Sequence, residues 1–307
     1  MDKNELNYDG SWRMIRRHLL QWANDFQVSL TLLTRLPWPW KKSLQTNPHG
    51  LTGVSSRKSQ DDLDIPEDVL ESEETYYINS DEHSEQPTVG RAVRAFPLVG
   101  IVIGLIAGIV FAICCGLGLP SLVSALITVA VSALLTGALH EDGLADTADG
   151  FGGGRSKAEK LKLMKDSRIG AYGVLTLLLI VAAKVIIIAD FDTVGETICA
   201  LIAAAAVSRA AMPALMYWLP IARPNGLSAS FGKPNKQYVL IGIIISSIVA
   251  IILLSWTGII AIIAAIGATF IVASISKRQI GGQTGDVLGA TQQISELFFL
   301  LALAVVR

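Results

Sequence analysis

The segment HEDGLADTADGFGGGR, residues 140–155, places four carboxylates, Glu141, Asp142, Asp146 and Asp149, within nine positions directly after a long apolar run. Asp142, Asp146 and Asp149 stand at i, i+4 and i+7, which on a helix is one face. Like charges at that spacing repel unless a cation lies between them. Hard oxygen ligands without an accompanying cysteine favour Mg2+ over zinc, and Mg2+ completes its shell with water and phosphate oxygens. The expected chemistry is metal-assisted handling of a phosphate-bearing substrate, with Glu141, Asp142, Asp146 and Asp149 as the ligand set. A solvated acidic loop is the plainer reading. Helical register, a glycine run and an adjoining apolar segment speak against it.

The flanking residues suit phosphate. Gly150 and Gly152–Gly154 read as a flexible turn whose bare backbone can approach an anion, with Gly152 and Gly153 as the contacts. Arg155, Lys157, Lys162, Lys165 and Arg168 follow as counter-charges. His140 fits a ligand, a base or an interfacial residue. Two further segments, KDSRIGAYG (165–173) and GGQTGDVLGA (281–290), each join an acid, Asp166 or Asp286, to glycines. Arg209 lies inside an apolar run, where a charge needs a partner; a structural pairing and a substrate contact both stay open. Lys184, nearer the other end of its run, is expected to snorkel.

Such residues need a scaffold, and the composition says which kind. The 307 residues are 51% hydrophobic and only 17% charged, against about a quarter charged in soluble domains. Crossing a bilayer takes about 20 apolar residues. Segments 95–117, 120–139, 171–190, 196–219, 238–256, 258–276 and the short 295–306 qualify or nearly do. The expected fold is all-α: a polytopic membrane bundle of about seven transmembrane helices, with the catalytic domain at 91–307. Eleven of the 25 Lys and Arg precede residue 95, six lie at 155–168, three at 223–236 and two at 277–278. Alternating the spans puts all these loops on one face, which the positive-inside rule makes cytoplasmic. The N-terminus and active site then face the cytoplasm and the C-terminus the outside of the cell inner membrane.

Upstream, residues 1–44 carry a helical stripe at 19, 22, 26, 30 and 33, stopped by Pro37 and Pro39 and followed by Trp38 and Trp40. This reads as an interfacial amphipathic helix, since Asp25 and Arg35 interrupt the run. The MDKNELNYDG start has no signal-peptide pattern. Residues 45–90 form an acidic insert expected to be disordered: 59–86 hold eleven Asp or Glu and no Lys or Arg. Cys114, Cys115 and Cys199 sit in apolar runs and read as small buried hydrophobes. Gly100, Gly104 and Gly108 form a ridge for close helix packing. A net charge of −1 gives no ground for a nucleic-acid partner.

LTRLP (33–37), RAFPLVG (94–100), HEDGLADTADG (140–150), DSRIGAYG (166–173), VSR (207–209) and GGQTGDVLGA (281–290) occur in an order that resembles the cobalamin synthases. These are integral-membrane adenosylcobinamide-GDP ribazoletransferases. The resemblance covers residues 20–45 and 88–307. It implies attack by a hydroxyl of α-ribazole, or its 5′-phosphate, on adenosylcobinamide-GDP, with loss of GMP. It also implies Mg2+ on the aspartate motif, with His140, Asp166 and Asp286 as candidate catalytic groups. Asp166 or Asp286 would complete a second metal site or accept the hydroxyl proton. Arg35, Gly152, Gly153, Lys165, Arg168, Arg209 and Gln283 become candidate substrate contacts. Membrane lipid is the other partner expected, and the glycine ridge suits a homo-oligomer or a complex with other corrinoid-assembly enzymes. Two departures stand out: Glu141 replaces a leucine-like residue, and the insert is longer than the family's usual connection.

Two rivals are weaker. CDP-alcohol transferases place an Ala-Arg pair inside their aspartate pattern, which DGLADTADG lacks; prenyl transferases carry two aspartate clusters. An ion-coupled transporter would suit Lys184 and Arg209, but the hydropathy shows no inverted repeat.

Overall fold

The computed structural model describes residues 3–36, 88–224 and 226–307. Residues 45–87 of the expected acidic insert, with Pro37, Trp38, Pro39 and Trp40, lie outside them.

The chain runs through α1 (Lys3–Leu33), short α2 (Thr88–Ala92), a 3-10 turn at Val93–Ala95, α3 (Phe96–Gly116) and α4 (Ser121–Thr136). It continues with α5 (Leu139–Gly153), α6 (Lys157–Leu163), α7 (Ala171–Ala189), α8 (Val194–Trp218), α9 (Leu227–Phe231), α10 (Lys236–Ile280) and α11 (Gly285–Val306). The described residues contain no strand, only a single parallel bridge between Ile221 and Gln283.

Among the described residues, five helices are long and apolar enough to cross a membrane, or six if α4 and α5, bent by 90°, count as one span. The expectation of seven differs because 238–256 and 258–276 fall within one 45-residue element, α10. That element is not straight. Ser255 leaves helical geometry at φ 56, ψ −134, and a Cβ on Gly258 would meet the Ala250 carbonyl. Eight residues of straight helix separate such groups by about 12 Å, so the chain doubles back at Ser255.

Helix α8 is the centre of the bundle, packing against α3, α10 and α11. Its Ala203–Ala206 run is buried throughout, and the small side chains let neighbouring backbones approach. Gly100 of α3 lies on the Ala205–Ala206 backbone, Gly104 on Leu201–Ile202 and Gly108 on Ile198. The glycine ridge is therefore used inside the chain. Leu105 and Ile109 of α3, Leu178 and Leu179 of α7, and Ile252 and Ile263 of α10 stay exposed, the surface a hydrocarbon solvent would cover.

Helix α1 packs on protein over its second half. Leu30 and Leu33 join a core with Val93 and Phe96. Buried Asp25 accepts hydrogen bonds from Arg91 Nε at 3.0 Å and Arg94 Nε at 2.7 Å. Arg94 also lies 4.0 Å over the Trp22 ring. Lys184 does not snorkel. It is buried, ion-paired with Glu296 and donates to Gln293 Oε1 at 2.7 Å, because pairing inside costs less than a lone charge in hydrocarbon. Cys114 is buried, Cys115 and Cys199 only partly, and all three are free.

Candidate active site

The acidic motif is aimed by a sharp joint. Gly137 and Ala138 both take left-handed backbone, φ 63 and φ 56, and turn the chain through 90° from α4 into α5. Ala138 adopts that conformation despite its Cβ, a strained geometry for an L-residue. Helix α5 carries the four acids and is not among the five helices long and apolar enough to span alone.

Glycines then let α5 cross α11 backbone to backbone. A Cβ on Gly143 would meet the Asp286 backbone, and one on Gly289 the backbone of His140. The start of α11 is fixed by the GGQTG segment. Gln283 N–H donates to the Pro220 carbonyl at 2.8 Å and Ala222 N–H to the Gln283 carbonyl at 2.9 Å. Gly282 leaves room for the Pro220 carbonyl. The Gln283 side chain is buried and accepts from the Ser228 hydroxyl, so it fastens the loop.

The crossing assembles a compact centre. Asp142, Asp286 and Arg223 line one cavity of about 110 Å3. Arg223 Nη2 donates to Asp286 Oδ2 at 3.1 Å, and the Thr284 hydroxyl donates to the same oxygen at 3.2 Å. Thr284 also caps α11 by accepting from Val287 N–H at 3.3 Å. Nε and Nη1 of Arg223 are buried with no partner among the described residues, which marks a place for an anionic ligand. Partial burial pushes the Asp146 carboxyl up to about 7, helped by the charges of Asp142, Asp286 and Asp149 and opposed by Arg223. Beside this cavity a cleft of about 530 Å3 is lined by both Asp142 and Arg35.

Other candidates lie elsewhere. Asp149 accepts the backbone N–H groups of Gly170 at 2.7 Å and Gly173 at 2.9 Å, tying α5 to the start of α7. Gly152 and Gly153 are not a flexible phosphate turn but the last turn of α5. Tyr172 packs where a Gly152 side chain would go, and Leu163 where one from Gly153 would. Asp166 pairs locally with Arg168, whose hydrogen bonds hold its carboxyl down to about 2. Arg168 and Lys165 are exposed, and the loop meets the acidic motif through Gly170 and Gly173 on Asp149. Glu141 turns away from Asp142 into a chamber between the helices, and His140, Arg209, Lys184 and Glu296 line it too. Burial, then the charges of Arg209 and Lys184, hold the His140 imidazole well below the usual histidine range.

Two groups are absent from the sequence expectation. Arg223 stands in RPNG and counts there only as one more basic residue of its loop. Glu296 is an acid within the last apolar run, next to Gln292 and Gln293. An intramembrane acid is itself a signal that a buried cation, here Lys184, needs a partner.

No group of three or more His, Cys, Asp or Glu side chains among the described residues is drawn together tightly enough to hold a bare metal ion. The donor chemistry nevertheless fits Mg2+. The crowded carboxylates are hard oxygen donors, and Mg2+ needs only one or two of them because it keeps several waters. Asp142 and Asp146 are the carboxylates of the motif left to meet that need, with Asp286 beside them; Asp149 is taken by backbone N–H groups and Glu141 in part by Gln293.

Fold and site together define a helical membrane protein in which a crossed polar helix and the segments beside it present carboxylates and an arginine to a phosphate-sized cavity. Residues 77–304 match the Cobalamin-5-phosphate synthase family. The chain belongs to that family. It is 42% identical over 228 residues to an adenosylcobinamide-GDP ribazoletransferase of Bradyrhizobium diazoefficiens, covering 74% of this chain and 88% of the relative. The relative of the same name from Sinorhizobium medicae is 45% identical over 231 residues, covering 71% and 86%. That from Azorhizobium caulinodans is 43% identical over 226 residues, with the same coverage. No solved structure matches.

Proposed function

We propose that the chain joins the lower nucleoside to the corrinoid. A hydroxyl of α-ribazole, or of its 5′-phosphate, attacks the cobinamide-side phosphorus of adenosylcobinamide-GDP. The P–O bond to GMP breaks, and adenosylcobalamin or its 5′-phosphate forms. The family membership of residues 77–304 carries this reading, and the paired placement of Asp286 and Arg223 supports it.

Displacement at a pyrophosphate needs positioning and neutralised charge more than covalent help. Arg223, with Nε and Nη1 unengaged, holds phosphate oxygens. Asp286 uses Oδ2 for both Arg223 and Thr284; Oδ1 stays free to take the hydroxyl proton. Asp142 and Asp146 would hold Mg2+, which when bound supplies charge neutralisation at the pyrophosphate. Arg35, at the wide cleft, contacts the bulky donor. Counting the two limbs of α10 separately and α4 as a span restores seven crossings. The basic loops and the site then face the cytoplasm from the cell inner membrane, the C-terminus lies outside, and α1 rests at the interface.

The test is GMP release by detergent-purified protein from adenosylcobinamide-GDP and α-ribazole phosphate, with and without Mg2+, beside Asp146→Asn. Release that needs Mg2+ and fails in the variant is expected. A folded protein that releases no GMP with either ribazole acceptor defeats the reading.

A further inference from the structure

The chamber behind the carboxylate centre has no part in the chemistry above. It lies among α3, α4, α5, α7, α8 and α11, with a volume of about 170 Å3. A single buried water needs only ~10–15 Å3. Most of its wall is apolar, contributed by residues such as Ile103, Leu126, Val181 and Leu201. The charged and ring groups on the wall are His140, Glu141, Lys184, Arg209 and Glu296.

Several of those groups are unpaired. His140 is 1% exposed, and neither ring nitrogen has a partner among the described residues. Arg209, 3% exposed, spends Nη1 on the Ala205 carbonyl at 3.1 Å and leaves Nε free. Glu141 accepts from Gln293 Nε2 at 2.9 Å on Oε1 and leaves Oε2 free. Buried polar atoms without partners cost stability, so their convergence on one cavity points to a ligand. The formal charges cancel, Lys184 and Arg209 against Glu141 and Glu296, so the ligand carries no net charge. An apolar cavity with a few convergent donors and acceptors is the usual form of a small-molecule site.

We infer that this chamber receives the heterocyclic base of the nucleoside acceptor: a flat, neutral nitrogen heterocycle, held at its polar edge by His140, Glu141 and Arg209. The inference rests on the proposed activity. Size excludes the corrin from the chamber, and charge balance excludes the pyrophosphate. His140 lines both the chamber and the Asp142–Asp286 cavity, so a nucleoside based here has its sugar beside the reaction centre. Acceptor selectivity is then set by α4 and α8 together with His140 and Glu141, the first two residues of the acidic motif.

The test uses the full chain in nanodiscs and two variants. Ala133→Phe fills the chamber from α4, and the near-isosteric Glu141→Gln changes only its polar edge. Calorimetric titration with α-ribazole alone should show affinity weakened about tenfold or more in Ala133→Phe, and weakened in Glu141→Gln. Affinity for adenosylcobinamide-GDP, titrated separately, should stay unchanged in both. Acceptor affinity indifferent to both substitutions, or equal weakening for both substrates, overturns the chamber assignment. Wild-type protein that releases no GMP in the parallel assay overturns the activity on which it rests.

Discussion

Arg223 donates to the Asp286 carboxylate at 3.1 Å, joining a loop after α8 to the first turn of α11 across the acidic face of α5. The pair spends one guanidinium nitrogen and leaves two unpartnered. Under the proposed reaction, Arg223→Gln should lower kcat by about 10²–10³, the usual loss for one oxyanion donor. Arg223→Lys should recover little, because a point charge does not replace a fork. Steady-state GMP release checks this, and near-wild-type turnover in Arg223→Gln would remove the residue from the centre.

The raised Asp146 carboxyl gives a pH prediction with a definite sign. Its folded value of about 7 lies above the ordinary 3.8, so the folded state binds the proton more tightly than the unfolded chain. Without divalent ions, thermal stability should fall as pH rises through that window. Saturating Mg2+, or Asp146→Asn, should each flatten the fall. Melting curves that keep the same slope in all three conditions would separate Asp146 from both the crowding and the metal.

Lys184 and Glu296 form an ion pair inside the bundle. Removing one partner of a buried pair costs about 3–5 kcal/mol, so Lys184→Met alone should strongly destabilise the protein. The double variant Lys184→Met, Glu296→Gln should recover much of that loss. A thermal double-mutant cycle in detergent reads the coupling. Additive losses would mean the two charges do not depend on each other.

Gly100 and Gly104 are packed against the α8 backbone. Substituting either by Val should cost at least about 1–3 kcal/mol, as overpacked cores do, since main chain cannot move aside as a side chain can. Gly116, with nothing near its missing Cβ, is the control: Gly116→Ala should be neutral or slightly stabilising. Unfolding midpoints compare the three.

Much of the architecture is legible in the sequence because hydrocarbon imposes a simple code of apolar length, small-residue stripes and loop charge. The Gly100–Gly104–Gly108 ridge and the apolar segments follow from it. The fold-back at Ser255 falls beside the break between the two apolar segments 238–256 and 258–276, although no glycine or proline stands at that residue. The acidic motif locates the site but not the division of labour. Spacing places Asp142, Asp146 and Asp149 on one face, yet Asp149 goes to the backbone of Gly170 and Gly173. A glycine run reads as a loop in sequence; here Gly152 meets Tyr172 inside a helix. Arg223 and Asp286 lie 63 residues apart in the chain, and tertiary contacts such as the Ile221–Gln283 bridge, the Ser228–Gln283 hydrogen bond and the α5–α11 crossing unite their environments.

The seating of α3 on α8 also decides which parts of the wall can give way. With Gly100 and Gly104 on the opposing main chain, that stretch of the pair has little side chain to repack and travels as one body. Helix α4 is different: much of its surface is only partly buried, and it ends in the Gly137–Ala138 joint. Breathing that admits a molecule between these helices is then easiest as a swing of α4 against the α3–α8 keel, with the left-handed residues Gly137 and Ala138 as the pivot.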